Sequence, residues 1–142
     1  MNQPEILVVG AGGMGALFGS ILHENGLKVV LYDTNTEHIR AIQQVGLKIE
    51  GYGGDRTIPI AATSNLSELE SAEIIIFQCK SHGTRQAAKA VKPLITQESV
   101  CISFQNGLGN EEVMAEELGE DSVMGGLTAM AGVLLLSLIH IS

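Results

Sequence analysis

The sequence predicts an α/β fold with a doubly wound, mostly parallel sheet, and three observations carry that prediction. Short, mainly apolar runs rich in β-branched residues recur at Ile6 to Val9, Ile74 to Cys79 and Val100 to Phe104, the first of them unbroken, as expected of strands covered on both faces. Stretches of helical periodicity separate them. A hydrophobic content of 45% with 4% aromatics and 17 glycines suits a core of Ile, Leu, Val and Ala. At 142 residues the chain is one domain's worth, long enough to bury about 70% of its unfolded surface.

The first strand, Ile6 to Val9, stops at Gly10. The run Gly10-Ala11-Gly12-Gly13-Met14-Gly15 then fits G-x-G-x-x-G. In that pattern one glycine makes the turn, the next lets backbone approach a pyrophosphate, and the third lets helix and strand pack closely. Apolar residues at Met14, Leu17, Phe18, Ile21 and Leu22 predict a helix with that stripe on the sheet, and Gly19 removes another side chain from the contact. Unpaired N–H groups and the dipole at the start of this helix attract a phosphate without any cationic side chain. Strand, glycine loop and helix together point to a Rossmann-like dinucleotide seat.

Asn25-Gly26 ends the helix, and a second strand, Lys28 to Tyr32, leads to Asp33, 18 residues beyond Gly15. An acidic residue at that distance accepts hydrogen bonds from the adenosine ribose hydroxyls and repels a 2′-phosphate, which favours NAD(H) over NADP(H). The alternative is that Asp33 and Asn35 simply build an Asx turn or helix cap. A helix over Thr36 to Val45 is predicted with Ile39, Ile42 and Val45 inward, stopped by Gly46. Leu47 to Glu50 and Arg56 to Ile60 read as an antiparallel hairpin at a sheet edge, where Pro59 is tolerated.

Ile74 to Cys79 is the strongest strand signal, and Lys80 follows it. Ligands of open α/β sheets sit beyond the carboxyl ends of the strands, so Lys80 is a candidate ligand contact, with a solvated charge as the alternative. His82 reads as a loop or cap residue. A helix from about Thr84 to Val91 comes next, then the strand Val100 to Phe104 and the turn Gln105-Asn106-Gly107-Leu108-Gly109. Asn106 suits both a turn and a carboxamide contact to a ligand. Asn110 is expected to cap a helix over Asn110 to Leu118, and Ser122 to Ala131 reads as a further strand of small residues.

Sixteen acidic and eight basic side chains give a net charge of −8, which argues against nucleic acid and anionic membranes as partners. Cys79 and Cys101 read as reduced core thiols, and no metal-ligand spacing accompanies them. The N-terminus lacks the pattern of a signal peptide. Val133 to Ile141 is apolar apart from Ser137 and His140, yet shorter than the ~20 residues of a membrane span. A soluble cytoplasmic protein is the expectation.

With these residues placed, the chain resembles the N-terminal domain of the ketopantoate reductase (2-dehydropantoate 2-reductase) family. The likeness rests on ILVVGAGGMG, VGLKIEG, IIIFQCKSHGT, SFQNGLGNEE and MGGLTAMA, in the family's order, from Ile6 to about Ala131. It implies NAD(P)H-dependent reduction of the small 2-keto acid 2-dehydropantoate to pantoate, in pantothenate biosynthesis. The resemblance sets the dinucleotide loop on Gly10 to Gly15, a cofactor-contacting lysine on Lys80, a residue touching nicotinamide and substrate on Asn106, and a late cofactor contact on Ala131. NADP is the cofactor the family implies. Asp33-Thr34 stands where NADPH-using members commonly carry an arginine, which keeps NAD open. The family's helical C-terminal domain, which supplies the lysine general acid, is missing, so no catalytic residue is assigned. Residues 132–142, ending LLLSLIHIS, look unlike the family and resemble spurious translation across an adapter junction. The expectation is therefore a dinucleotide-binding domain over residues 1–131 with a non-native or disordered tail, a truncated product inactive alone. An NAD-dependent 2-hydroxyacid dehydrogenase of the same superfamily, or a non-catalytic dinucleotide-sensing module, are the alternatives.

Overall fold

The computed structural model describes residues 3–50, 54–80, 83–104 and 109–123. Strands β1 (Ile6–Val9), β2 (Val29–Tyr32), β5 (Ala61–Thr63), β6 (Ile74–Phe77) and β7 (Val100–Ser103) form one parallel sheet in the order β5-β2-β1-β6-β7. β1 is central, with Ile6 opposite both Val29 and Ile74, and Val9 opposite both Tyr32 and Phe77. The chain first builds outward through β2 to β5, then returns across β1 to build β6 and β7. The reversal between β1 and β6 opens a crevice beyond their carboxyl ends.

Alternation along the strands divides the core into two layers. Ile6, Val8, Leu31 and Ile76 pack with Ala16 and Leu22 of α1 (Gly13–Glu24) and with Ile39 and Ile42 of α2 (Thr36–Val45). Leu7, Val9, Ile75, Phe77 and Cys101 pack on the other face with Ala88 and Val91 of α3 (Thr84–Val91) and Met114 of α4 (Asn110–Leu118). The Rossmann-like α/β expectation is thus met, and the predicted helix boundaries match those observed.

The face that α1 turns to the sheet differs from the predicted one. Gly15, Ala16, Gly19, Ser20 and Leu22 are buried, whereas Met14 is 56% exposed and Leu17, Phe18 and Ile21 are half-buried. Close approach decides this. A Cβ on Gly15 would lie 1.8 Å from the Gly10 carbonyl oxygen, and one on Gly19 would lie 2.5 Å from Leu31 Cδ2. The helix seats on its smallest residues, and the bulkier stripe is rotated outward.

The expected hairpin forms from β3 (Leu47–Ile49) and β4 (Arg56–Ile58), but as a separate two-stranded sheet. Its Arg56 grips the Glu24 carboxylate at the end of α1 with two bonds of 2.7 Å. The edge of the main sheet beside β2 is instead β5, a segment the sequence reading did not assign as a strand. Ile60 N–H bonds back to the Ile58 carbonyl at 3.0 Å across Pro59, ending β4 and freeing Ala61–Thr63 to pair with β2. Gln43 of α2 donates to the Ala62 carbonyl at 2.8 Å and covers this strand.

Three smaller corrections follow. Val45 is 62% exposed rather than inward. Gly109, at φ 87°, caps α4, while Asn110 is buried in the first turn with Thr84 Oγ1 3.1 Å from its Oδ1. Cys79 lies beyond β6 and is half-buried, not a strand residue of the core. Of the last predicted strand, Val123 forms a parallel bridge with Cys101, and residues 124–131 lie outside the described residues.

These packing contrasts set expected stabilities. Leu31→Ala, at a fully buried site under α1, should lower unfolding free energy by about 2–5 kcal/mol in urea denaturation. Val45→Ala should stay within about 0.5 kcal/mol of the parent.

Candidate functional site

The glycine loop lies at the reversal of the sheet. Gly10 extends the β1–β2 ladder by donating to the Tyr32 carbonyl at 2.8 Å, and Gln78 extends the β1–β6 ladder by donating to the Val9 carbonyl at 2.8 Å. Gly10 then turns at φ 109°, where any Cβ would lie 2.7 Å from Cys79 N. Gly15 is the packing glycine already described. Gly12 and Gly13 differ in kind, because a Cβ on either would meet nothing within 4 Å.

Gly12 is the N-cap of α1, and no side chain caps it. The first turn holds no acidic residue. The leading N–H groups of a helix lack intrahelical partners, and the dipole adds positive potential there. This end of α1 therefore presents backbone donors, with nothing of the protein's own negative charge placed on its first turn.

Asp33, just past β2, faces the loop. Its Oδ2 accepts from Ala11 N–H at 2.8 Å and its Oδ1 from Asn35 N–H at 2.9 Å. Asn35 in turn caps α2 by accepting from His38 N–H at 3.1 Å. Asp33 and Asn35 thus build the Asx turn and helix cap that the sequence offered as one reading, and the same carboxylate reaches the glycine loop. The His38 ring nitrogen Nε2 lies 2.7 Å from the Ala11 carbonyl oxygen and donates to it.

A cavity of about 1150 Å³ occupies the crevice. Gly10, Gly12, Gly13, Met14, Gly15, Asp33 and Lys80 all line it, so these sequence candidates share one site. Ala11, the remaining loop candidate, is buried and does not line the cavity. Asn106 and Ala131, and His82, lie outside the described residues. Tyr32, Thr34, Asn35, Gln78 and Cys79 also line the cavity. Gln86, Ala87 and Ala90 of α3 form a wall that the sequence reading missed, although small residues at i and i+3 on a helix after a strand's carboxyl end could have signalled it. Phe18 and Phe104, with centroids 5.3 Å apart, form a further part of the lining. His38 was also missed. It stands three residues beyond the cap of α2, a place that does not by itself foretell a bond to Ala11.

Burial pushes the Tyr32 hydroxyl above its usual range, and the Asp33 charge adds to this. Burial likewise raises the Cys79 thiol, and pushes Cys101 up to about 12. Among the described residues no group of three or more His, Cys, Asp or Glu could hold a metal ion, and no helix is long and apolar enough to cross a membrane.

Residues 6–140 match the family described as ketopantoate reductase PanE/ApbA. The chain belongs to this family. A 2-dehydropantoate 2-reductase from Pyrococcus abyssi is 36% identical over 124 residues, which are 87% of this chain and 39% of the relative. The crystal structure of 2-dehydropantoate 2-reductase from Geobacter metallireducens superposes with a TM-score of 0.75 at 28% identity, covering 83% of this chain and 39% of that one. D-mandelate dehydrogenase in a ternary structure with NADH and anilino(oxo)acetate superposes with a TM-score of 0.74 at 25% identity, over 83% of this chain and 38% of that one. The ketopantoate reductase family and these relatives are oxidoreductases, and the chain spans about 40% of the length of the curated relatives it matches.

The buried thiol sets a pH dependence. A Cys101 pKa near 12 in the folded state, against a reference of 9.0, means that the unfolded chain loses its proton first. Stability should be full below about pH 9 and fall as pH rises toward 12, the direction that Tyr32 reinforces. Urea titrations across this range check the sign, and Cys101→Ser should flatten the decline.

Proposed function

We propose that this chain forms the dinucleotide-binding part of an oxidoreductase that reduces 2-dehydropantoate to pantoate. The observation that carries the reading is the uncapped start of α1, with Gly12 and Gly13 open to a cavity at the sheet's reversal. These features fit a diphosphate: the donors are backbone, and the two glycines leave space where side chains would obstruct it. The cavity is of the size of cofactor sites, ~300–1,000 Å³ or slightly above.

In this reading the loop Gly10 to Gly15 binds the diphosphate and Asp33 accepts from the adenosine ribose hydroxyls. Lys80, exposed at the cavity rim, contributes the positive charge nearest the strand tips, and Asn106 contacts nicotinamide and substrate, with Ala131 as a late cofactor contact. A bound reduced nicotinamide supplies the hydride. The family resemblance puts the proton donor in a C-terminal domain, so in this reading the 142-residue chain binds the cofactor but turns over little keto acid alone. In this reading residues 1–131 form the binding domain.

Asp33 favours NADH. Its carboxylate is held by two backbone donors, and a 2′-phosphate about 4 Å away would meet a repulsion on the order of 4 kcal/mol at an effective dielectric of ~20, before screening. The relative solved with NADH is consistent with that choice. The same residue supports a second reading, an NAD-dependent dehydrogenase of another 2-hydroxy acid.

Equilibrium titration of the chain with NADH and NADPH should show at least tenfold tighter binding of NADH. Asp33→Asn should narrow that ratio, and binding of neither nucleotide would sink the proposal. Steady-state assays of a full-length homologue carrying the same loop, with 2-dehydropantoate and with mandelate-type keto acids, separate the two substrate readings.

A further inference from the structure

The second βα unit grips the glycine loop of the first from both sides of one residue. Ala11 is 1% exposed, its N–H donates to Asp33 Oδ2 at 2.8 Å, and its carbonyl accepts from His38 Nε2 at 2.7 Å. Since a carbonyl oxygen can only accept, the His38 ring carries its proton on Nε2. The bond spans 27 residues of sequence and joins α2 to the turn between β1 and α1. His38 itself does not line the cavity.

The geometry points to His38 as a positioning residue for dinucleotide binding, acting through the Ala11–Gly12 peptide. This rests on the dinucleotide reading given above. In a trans peptide the carbonyl and the following N–H point in opposite directions. Holding the Ala11 carbonyl against α2 therefore turns the Gly12 N–H away from α2, and Gly12 lines the cavity. The Asp33 bond fixes the preceding peptide, so two consecutive peptide planes are set before a ligand arrives. A donor already aimed avoids the ordering cost of a mobile glycine loop. His38 is half-buried, and Gly10 and Gly12 flank Ala11, so little else defines the rotation of the Ala11–Gly12 peptide.

The test separates the N–H from the ring. His38→Phe keeps a planar ring and removes the donor, and His38→Gln restores an N–H at nearly the same reach. NADH affinity of the 142-residue chain, from equilibrium fluorescence titration, is expected to fall about tenfold in His38→Phe, the scale of one hydrogen bond to a buried carbonyl. His38→Gln should return to within about threefold of the parent. Thermal midpoints without nucleotide report folding separately, and His38→Ala replaces the Phe variant if that does not fold. Parental affinity in the variants lacking the N–H, or an equal loss in His38→Gln, overturns the role of His38 while leaving the dinucleotide site standing. A parent chain that does not bind NADH overturns both.

Discussion

The distance between α1 and β1 governs the rest of this structure. Gly15 lies so near the Gly10 carbonyl that any side chain would collide with backbone, which unlike a side-chain tip cannot step aside cheaply. Gly19 extends the same proximity to Leu31. Brought this close, the helix begins directly over the end of the central strand, and its unsatisfied donors face the crevice where the sheet reverses. The outward rotation of Met14 and Phe18 is a consequence of the same contact, since a helix seated on glycine and alanine must turn its larger residues elsewhere.

On the proposed reading, an acidic chain that binds a diphosphate must do so by local means. With a net charge of −8, general attraction to a diphosphate is unavailable, and the cavity lining holds Lys80 as its cationic side chain among the described residues. The remaining attraction comes from peptide dipoles, which no titration removes and which need only correct orientation. Orientation is the task proposed for the neighbouring unit. Asp33 and His38 meet the loop through backbone atoms of Ala11, and Asn35 joins the same network to the first turn of α2.

The parts of this arrangement legible in the sequence were those written in local pattern. Strands such as Ile74–Phe77 announce themselves by unbroken β-branched runs, helix ends by Gly46 and Pro93, and the loop by its glycine spacing. β5 was not legible because Ala61–Thr63 is short and owes its pairing to a turn at Pro59 and to cover from Gln43. The inward face of α1 misled because periodicity weighs hydrophobicity, while this interface selects for small size. Asp33 was found by its distance from Gly15, yet its bond to Ala11, like that of His38, depends on two units folding together and leaves no mark in spacing. The α3 wall was marked only by its small residues at i and i+3, Ala87 and Ala90.

Asp33 holds one consequence for redesign of nucleotide preference. Exchanging an acidic residue for a neutral or basic one is the usual route to accommodate an extra phosphate, but here the carboxylate also anchors the loop and starts the turn into α2. A swap at that single position would loosen the seat it was meant to widen. Retuning this scaffold calls for a paired change, one that preserves an acceptor for Ala11 N–H while placing new positive charge on an adjacent exposed position such as Thr34.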